Sequence, residues 1–483
     1  MTSPTTPNRR VLIVSAAFPP TGGAGVQRTA KFARYLPDQG FDPIVWTAGP
    51  LGQLPRDDSL ASELPRSVSV LSNPNHDLAG PLAAFADRSW RLARLTRRLE
   101  RFFVPDSLIP WVLTSLAPLR RLIHTHRIDL IYSTYSPASN HLLAWMLKRA
   151  TRRPWISDWR DLWTEDHWYQ FRTGPAWRRK LDRRLERTFL RASDAIVATT
   201  DAQRNILTSA LSAADTPLAC TIPNGFDPAD FSDTPCRSNP QSRDRFVLAH
   251  VGRFTRDRVK PPMLEGLARF AGSLGPRGDR FQLRIVGHIP CELRDDLHNR
   301  GVPVETTGYL PHRLAVAEMQ SADVLLLQYP DAPNADTAVS GKLFEYFAAG
   351  RPVLMIGPPS SQARRYVESF RAGITADMDA ADVAAALTRL WQRWRSGDLP
   401  AGCSADRLAP FTRPALTQRL ARLFDHVLAT ARARAKRRTS TTRRTSVGRP
   451  ASVIRRAPVA IPVHASPSEP RGRQAASTLA HPA

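Results

Sequence analysis

The segment at residues 340–354 constrains the fold more than any other part of the chain, and its sequence is SGKLFEYFAAGRPVL. Apolar runs at 322–328 and 352–356 flank it, and each has the length and branched side chains of a buried strand. Ser340 is a favourable helix N-cap, and Gly350 stands where a helix C-terminal glycine is expected. The pattern therefore predicts a loop and a short helix that return into a parallel α/β sheet.

Such a helix directs free backbone N–H groups and the positive end of its dipole at the mouth of the sheet, where an anion can bind. Glu345 lies one turn into the helix, close enough to accept hydrogen bonds from a diol. Phosphate at the helix start and ribose at the carboxylate together predict a nucleotide site. The alternative is an ordinary core helix in which Leu343 and Phe344 pack and Glu345 is solvated. A P-loop is rejected, because Asp336 replaces its first glycine and Leu343 replaces its Ser or Thr.

Strand and helix signals also alternate in the first half of the chain, with strands predicted at 11–15, 44–47, 128–133 and 196–199. This alternation predicts a second doubly wound sheet. The loop at 18–25 carries Gly22 and Gly23, which either let the backbone approach a ligand or form a tight turn. A Rossmann dinucleotide site is disfavoured, because the loop lacks the last glycine and the second strand ends at Thr47 instead of an acid.

Charged and aromatic residues alternate after a short predicted strand in the segment 155–163, WISDWRDLW. Asp158, Arg160 and Asp161 stand at the carboxyl end of this strand, which is the ligand face of a parallel sheet. Two interpretations remain open. These groups contact a substrate, or they form an internal Arg–Asp salt bridge that shapes the loop.

The chain is strongly basic, with a formal charge of +25, and residues 431–483 carry 12 Lys or Arg against one acid. This tail shows no hydrophobic period, so we predict that it is disordered. Adhesion to an anionic membrane and an inert extension are both open for it. The segment 86–103 predicts a basic helix with one apolar stripe, for which packing on its own domain is favoured over a membrane surface.

Four scattered cysteines show no metal-ligand spacing, which favours a reducing compartment and argues against zinc or a disulfide framework. No apolar run approaches the ~18 residues needed to span a bilayer. The N-terminus also lacks the apolar region of a signal peptide. These features predict a cytoplasmic protein, with peripheral attachment at the inner face of the cell membrane left open.

The motifs, taken in order, resemble those of the family-4 retaining glycosyltransferases, which have the GT-B architecture. The resemblance spans roughly residues 10–430 and rests on ordered segments more than on any single one. It implies two Rossmann-like doubly wound domains that face each other across a cleft, an acceptor-side domain at 1–218 and a nucleotide-sugar-binding domain at 219–430. The final helix, predicted at 411–428, should cross back onto the first domain. The segments that carry the resemblance are 11–28, 222–227, 250–254, 285–287, 307–310 and 340–354.

The resemblance places the donor mainly on the second domain. Family members carry an Arg and a Lys that offset the charge of the diphosphate; Arg253 matches the first, and either Arg258 or Lys260 matches the second. Asp158, Arg160 and Asp161 form the implied catalytic group. The implied donor-binding residues are Gly22, Gly23, Arg253, Arg258, Lys260, Tyr309, Leu310, Ser340, Gly341, Lys342, Leu343 and Glu345.

One departure from the family pattern bears on the function. Two acids stand eight residues apart in the fuller family motif; Glu345 is the second, and Thr337 occupies the position of the first, with Asp336 beside it. This departure leaves the identity of the sugar open, and catalytic competence to a lesser degree. No metal and no cofactor are expected, and the D-x-D at 377–379 is predicted to cap the helix that follows.

The implied function is a metal-independent, retaining transfer of a sugar from a nucleotide-diphosphate sugar to a glycan or lipid-linked acceptor. Cell-surface polysaccharide or glycolipid synthesis is the implied setting. Two alternatives remain: a sugar-nucleotide epimerase on the same fold, and a catalytically silent, membrane-associated scaffold. A nucleic-acid partner is not expected, because the folded part shows no such module.

Overall fold

A computed structural model describes residues 8–49, 51, 56–73, 102–167, 169, 175–232, 244–256 and 258–444 of the chain. These residues form two parallel sheets with helices between the strands, so the predicted pair of Rossmann-like domains is confirmed. One compact unit ends at Ala433 and contains both sheets, and a second begins at Arg434. The tail at 445–483 and residues 86–101 of the predicted basic helix lie outside the described residues.

The first sheet has seven strands in the order β3-β2-β1-β4-β5-β6-β7. Its last strand pairs with β6 in parallel register, so the sheet extends to residue 221, three residues past the predicted boundary at 218. The sequence LACT is short and offers no strand signal of its own; pairing with β6 makes it a strand. The strands are β1 (Arg9–Val14), β2 (Phe41–Thr47), β3 (Ser69–Ser72), β4 (Leu130–Tyr135), β5 (Trp155–Trp159), β6 (Ala195–Ala198) and β7 (Leu218–Thr221).

The second sheet has six strands in the order β10-β9-β8-β11-β12-β13. In both sheets the order reverses beside the first strand of the domain, between β1 and β4 and between β8 and β11. Ligands of open parallel sheets bind at the carboxyl ends of the strands at such reversal points. The strands are β8 (Phe246–Val251), β9 (Phe281–Val286), β10 (Val304–Gly308), β11 (Val324–Gln328), β12 (Val353–Ile356) and β13 (Gly373–Ala376).

Helices cover both faces of each sheet. Those of the first domain are α1 (Ala24–Tyr35), α2 (Asp58–Ser62), α3 (Ile109–Thr125), α4 (Ser139–Thr151), α5 (Ala176–Ala192) and α6 (Asp201–Ser209). Those that follow are α7 (Ala229–Ser232), α8 (Pro261–Ser273), α9 (Cys291–Asn299), α10 (His312–Ser321), α11 (Gly341–Ala348), α12 (Gln362–Phe370), α13 (Ala380–Arg395), α14 (Ala405–Leu408) and α15 (Arg413–Arg444).

Each sheet separates two hydrophobic cores, because alternate side chains of a strand point to opposite faces. In β1, Leu12 and Val14 face one core, while Val11 and Ile13 face the other. The second sheet is divided in the same way. Strands buried on both faces explain why the chain shows continuous apolar runs where its parallel strands lie.

The long helix α15 returns to the first domain, as predicted. Leu416, Leu420 and Phe424 are buried in the core that contains Val11 and Ile13. The helix continues to Arg444, past the predicted boundary at 430. Alanine and arginine favour helix, and residues 431–447 contain no Gly or Pro.

The two chain crossings between the domains lie side by side. Phe226 donates its N–H to the carbonyl of Phe411 at 3.2 Å, and Arg413 donates its N–H to the carbonyl of Phe226 at 2.8 Å. A Cβ on Gly225 would overlap the Phe411 carbonyl, so this close approach requires glycine.

No helix within the described ranges combines the length and the apolarity that a membrane span needs.

Candidate functional site

Glycine backbone forms the floor of a site at the carboxyl end of the second sheet. Gly252 follows β8 and donates its N–H to the carbonyl of Val286 at 2.6 Å. Gly287 pairs with Gly308 in a single antiparallel β-bridge. Gly287 has a φ of +134°, and a Cβ there would overlap the carbonyl of Gly252. Glycine at position 287 therefore lets the backbones of these two turns pack directly against each other at the strand ends.

Helix α11 begins beside this floor with its N-terminus well ordered by side chains. The Ser340 hydroxyl accepts a hydrogen bond from the Lys342 amide at 3.4 Å, which confirms the predicted N-cap. The Ser340 amide donates to the Tyr329 hydroxyl at 2.7 Å. Within the described part of the chain, the Gly341 amide has no acceptor. This N–H at the positive end of the helix can therefore bind an anion.

Lys342 lies at the start of α11, and the positive charges of two arginines act on it. The half-buried Lys342 packs so close to Gly252 that a Cβ there would overlap the ammonium. Burial and the charges of Arg258 and Arg253 lower the pKa of Lys342 to about 7, against the opposing charge of Glu345. In the described chain, no side chain or carbonyl pairs with this ammonium. A cation held beside like charges favours an anionic ligand, because the ligand relieves the repulsion.

Two residues are candidates for the second basic residue of the family pattern. Arg258 acts electrostatically on Lys342 and on the buried Tyr329. Lys260 is the N-cap residue of α8, where its carbonyl accepts a hydrogen bond from the Met263 amide. Both residues remain candidates for this role.

Glu345 is buried rather than solvated, with 8% of its surface exposed. Its Oε1 lies 3.9 Å from Nε2 of His312, the first residue of α10. The guanidinium of Arg413 is also buried and faces the charge of Glu345. Leu343 and Phe344 pack in the core, so the helix serves both packing and the site.

The strand β10 leads into the segment predicted to face the base. Tyr309 is half exposed, and its hydroxyl donates to Oδ2 of Asp57 in the first domain at 3.4 Å. Burial and the charge of Asp57 raise the pKa of Tyr309 to about 12, so the phenol stays protonated. Leu310 is partly buried against the core that contains Phe344.

On the first domain, the loop after β1 presents backbone to the cleft. Gly23 has a φ of +110° and is the N-cap of α1, and no atom lies within 4 Å of the place of a Cβ. Gly22 precedes it and is buried. The positive φ explains the glycine at position 23, and the open space beside it permits a ligand to approach.

The structure does not support a catalytic role for Asp158. This carboxylate is fully buried and receives Nε and Nη2 of Arg28 at 2.8 and 3.1 Å, as well as the Tyr132 hydroxyl. Arg28 also donates to the carbonyls of Ile222 and Pro223 at the domain crossing. The internal Arg–Asp salt bridge that the sequence left open therefore exists, but its arginine is Arg28 and not Arg160.

Arg160, which follows β5, forms hydrogen bonds to the end of β4 and to the first turn of α1. Its guanidinium donates to the carbonyls of Tyr135 and Ser136 at 2.6 and 2.9 Å, and also to that of Gly25. Asp161 is exposed, and it faces the second domain closely enough for its charge to act on Tyr329. Asp161 is thus exposed, whereas Asp158 is fully buried.

Thr337 does not replace the missing acid of the family motif. Its hydroxyl donates to the Asn334 carbonyl at 2.7 Å, and its own carbonyl accepts a hydrogen bond from the Thr200 hydroxyl of the first domain at 2.8 Å.

The D-x-D at 377–379 has the predicted capping role, since Asp379 accepts hydrogen bonds from the amides of Ala381 and Asp382.

An acidic group at the domain interface has the spacing of a metal site. Glu63, Asp227 and Asp230 offer oxygens within 4.8 Å of one another. The ammonium of Lys31 lies among them, at 2.6, 2.8 and 2.6 Å respectively. The lysine provides the positive charge, so this group is an ion-pair network.

Four residues of this region were not predicted from the sequence. Tyr329 directly follows β11 at the ligand edge, a position that points to it once the strand is known. His312 follows the 307–310 motif, but a lone histidine gives no signal. The contacts of Gln27 and Arg413 could not be predicted either, because their partners are remote along the chain.

Comparison with known proteins agrees with this geometry. Residues 22–225 match the family model described as "Glycosyl transferase 4-like domain", and residues 245–393 match "Glycosyl transferases group 1". No curated protein sequence matches the chain. Two Rossmann-like domains and the two matching family models define the class as a GT-B glycosyltransferase. The two models together account for most of the chain, which belongs to the family-4 glycosyltransferases.

Solved structures share the fold at low sequence identity. A sucrose-phosphate synthase from Thermosynechococcus elongatus is 14% identical with a TM-score of 0.60, and the match covers 87% of this chain and 100% of that one. An α,α-trehalose 6-phosphate synthase from Burkholderia multivorans is 14% identical with a TM-score of 0.56, covering 89% and 100%. HepE from Anabaena, solved with UDP and glucose, is 16% identical with a TM-score of 0.51, covering 89% and 100%.

Proposed function

We propose that this glycosyltransferase moves a sugar, with retention of configuration, from a nucleotide-diphosphate sugar to a glycan or lipid-linked acceptor. The observation that carries the proposal is the group of Lys342, Arg253 and Arg258 at the start of α11. Three cations and the Gly341 amide match the charge and the hydrogen-bond acceptors of a diphosphate. The similarity of fold to a protein solved with UDP and glucose supports the same class of donor.

In this proposal Glu345 accepts hydrogen bonds from the ribose diol, and residues 308–310 lie against the base. The bond between the anomeric carbon and the diphosphate oxygen breaks, and the acceptor oxygen bonds to that carbon on the same face. The acceptor proton passes to the departing diphosphate. Cations and helix dipole stabilise the negative charge that develops on this leaving group, which a divalent ion does in other enzymes. We therefore propose a metal-independent reaction.

Asp161 is the residue of the first domain that we assign to the acceptor or the donor sugar. It is exposed at the end of β5 and faces Tyr329 across the cleft. Arg160 acts as a positioning residue through the carbonyls that it holds. Anchoring of Gly25 by Arg160 also keeps the loop of Gly22 and Gly23 in place beside the cleft.

A thermal-shift screen of UDP, GDP, ADP and their sugars tests the donor site. A ligand at ~100 times its dissociation constant should stabilise the protein by roughly 2.7 kcal/mol. We expect one nucleotide to stabilise the wild type, Glu345→Ala to lose this response, and the exposed control Glu292→Ala to keep it. If no nucleotide stabilises a folded wild type, the donor proposal is wrong and a scaffold role is favoured.

We also propose that the protein binds the surface of an anionic membrane, as expected for a lipid-linked or surface-polysaccharide acceptor. Trp177 of α5 and Phe102 are 48% and 68% exposed, and their ring centroids lie 6.2 Å apart. Both acids of α5, Asp182 and Glu186, are buried. Aromatic side chains beside cations fit the interface of an anionic bilayer. The exposed cations of α5 are Lys180, Arg183, Arg184, Arg187 and Arg191.

Co-sedimentation with lipid vesicles tests this surface on the full chain. We expect binding to vesicles that contain an anionic lipid and not to zwitterionic ones. Trp177→Ala should weaken it, whereas Leu113→Ala, which removes another exposed apolar side chain, should not. Equal binding by wild type and Trp177→Ala would contradict the role of α5. Loss of binding only on deletion of 445–483 would assign it to the tail.

A further inference from the structure

His312 occupies a buried position between the two domains, directly after the segment assigned to the base. Its side chain is 9% exposed. Nδ1 lies 2.9 Å from Nε2 of Gln27 in α1, and Nε2 lies 3.1 Å from Oδ2 of Asp230. The same Nε2 faces Oε1 of Glu345 at 3.9 Å. One imidazole therefore contacts a first-domain amide on one side and the donor-site carboxylate on the other.

The backbone of this residue also contacts the first domain. Its N–H donates to Oδ2 of Asp57 at 3.3 Å, and the Tyr309 hydroxyl donates to the same oxygen at 3.4 Å. Asp57 is itself fixed as the N-cap of α2, where it accepts a hydrogen bond from the Ser59 amide. The segment from Tyr309 to His312 is thus held by two separate elements of the first domain.

We propose that His312 is a positioning residue that couples closure of the cleft to the orientation of Glu345. The proposal rests on the proposed function, in which Glu345 holds the donor ribose. Gln27 and Asp57 hold His312 only while the first domain is in contact. When that domain withdraws, the imidazole loses Gln27, the backbone N–H of His312 loses Asp57, and Glu345 loses a fixed neighbour, so the donor binds the closed form more tightly.

The charges around His312 determine how this coupling depends on pH. Burial by itself would lower the pKa of His312, but the hydrogen bond to Asp230 and the charges of Glu345 and Asp230 raise it, against the opposing charge of Lys31. The imidazolium therefore persists to a higher pH than in a free histidine. Gln27 can serve both states, because its amide offers either N–H or oxygen to Nδ1. Above the raised pKa the cation is lost, and donor affinity should fall.

Titration of a nucleotide across pH tests the proposal, using the nucleoside diphosphate that stabilises the wild type. We expect His312→Gln to weaken binding about tenfold, since a hydrogen-bonded charge is lost, and to make the pH dependence shallower while the contribution of Lys342 remains. The exposed control His298→Gln should behave as the wild type. Gln27→Ala, which leaves the imidazole in place, should weaken binding in the same direction. The double variant should lose less than the sum of the two single losses.

Two outcomes separate this proposal from the function on which it rests. A wild type that binds no nucleotide defeats the proposed function itself. A wild type that binds, with His312→Gln and Gln27→Ala equal to it in affinity and pH profile, overturns only the coupling. Additive losses would also overturn it, because they would show that Gln27 acts independently of His312.

Discussion

At the scale of single residues, the ion pair of Arg28 and Asp158 joins the first domain to the crossing that leads into the second. Both side chains are buried, at 1% and 0% exposure. Arg28 also donates to the carbonyls of Ile222 and Pro223, so its position sets the start of the domain crossing. The sequence placed Asp158 in a functional cluster. In the structure Asp158 holds Arg28, which in turn fixes the start of the domain crossing.

Removing the carboxylate should therefore destabilise the whole protein. Asp158→Ala leaves the Arg28 guanidinium buried without its anion, and breaking a buried pair in this way costs roughly 3–5 kcal/mol. Urea unfolding monitored by tryptophan fluorescence measures the loss. The control Asp58→Ala breaks the exposed pair with Arg56 and should leave the free energy of unfolding close to that of the wild type. Similar stabilities for the two variants would contradict this account of Arg28.

Lys342 should make donor binding depend on pH. Its pKa is lowered to about 7, so the free protein loses this positive charge as the pH rises above neutrality. Affinity for a nucleotide-diphosphate sugar, whose diphosphate does not titrate in this range, should fall roughly tenfold between pH 7 and 8.5. Lys342→Arg keeps its charge and should show a shallower profile. An equally steep profile in Lys342→Arg would exclude Lys342 as the titrating group.

At the scale of elements, the turns after β8 and β9 depend on each other through their glycines. Gly287→Ala places a Cβ against the Gly252 carbonyl at a φ of +134°. We expect a loss of about 1–3 kcal/mol in the free energy of unfolding. Nucleotide affinity should fall with it, because Gly252 packs on Lys342.

The matched control for this prediction is Gly278→Ala. No atom lies within 4 Å of a Cβ at that position, so the variant should unfold like the wild type. Chemical denaturation and nucleotide titration on the same samples measure both effects. A Gly287→Ala variant as stable as the control would show that the two turns are not in close contact.

Local patterns in the sequence predicted the elements well. The strands at 322–328 and 352–356, the N-cap Ser340 and the capping Asp379 depend on neighbours within a few residues, which the sequence displays directly. Contacts between remote residues were not predictable. Arg28 and Asp158 are 130 residues apart, and Gln27 and His312 are 285 apart. One sequence carries no signal for such pairs, so the salt bridge was expected with Arg160, and His312 was missed.

At the scale of the whole molecule, contacts between the domains lie on two sides of the cleft. Asp57 meets residues 309 and 312 on one side. On the other, the side-chain amide of Asn334 donates to the backbone carbonyl of Glu165 at 2.8 Å. The Thr200 hydroxyl donates to the backbone carbonyl of Thr337. The two domains are therefore joined by hydrogen bonds between residues that lie far apart in the sequence.

The central claim is that the cations at the start of α11 bind the diphosphate of a donor nucleotide. Calorimetric titration of the preferred nucleoside diphosphate and its parent nucleoside tests it most directly, with wild type, Lys342→Met and the exposed control Lys180→Met. We predict that Lys342→Met weakens binding of the diphosphate about ten- to hundredfold and leaves binding of the nucleoside unchanged. The control should match the wild type. Equal diphosphate affinity in all three proteins would contradict the account.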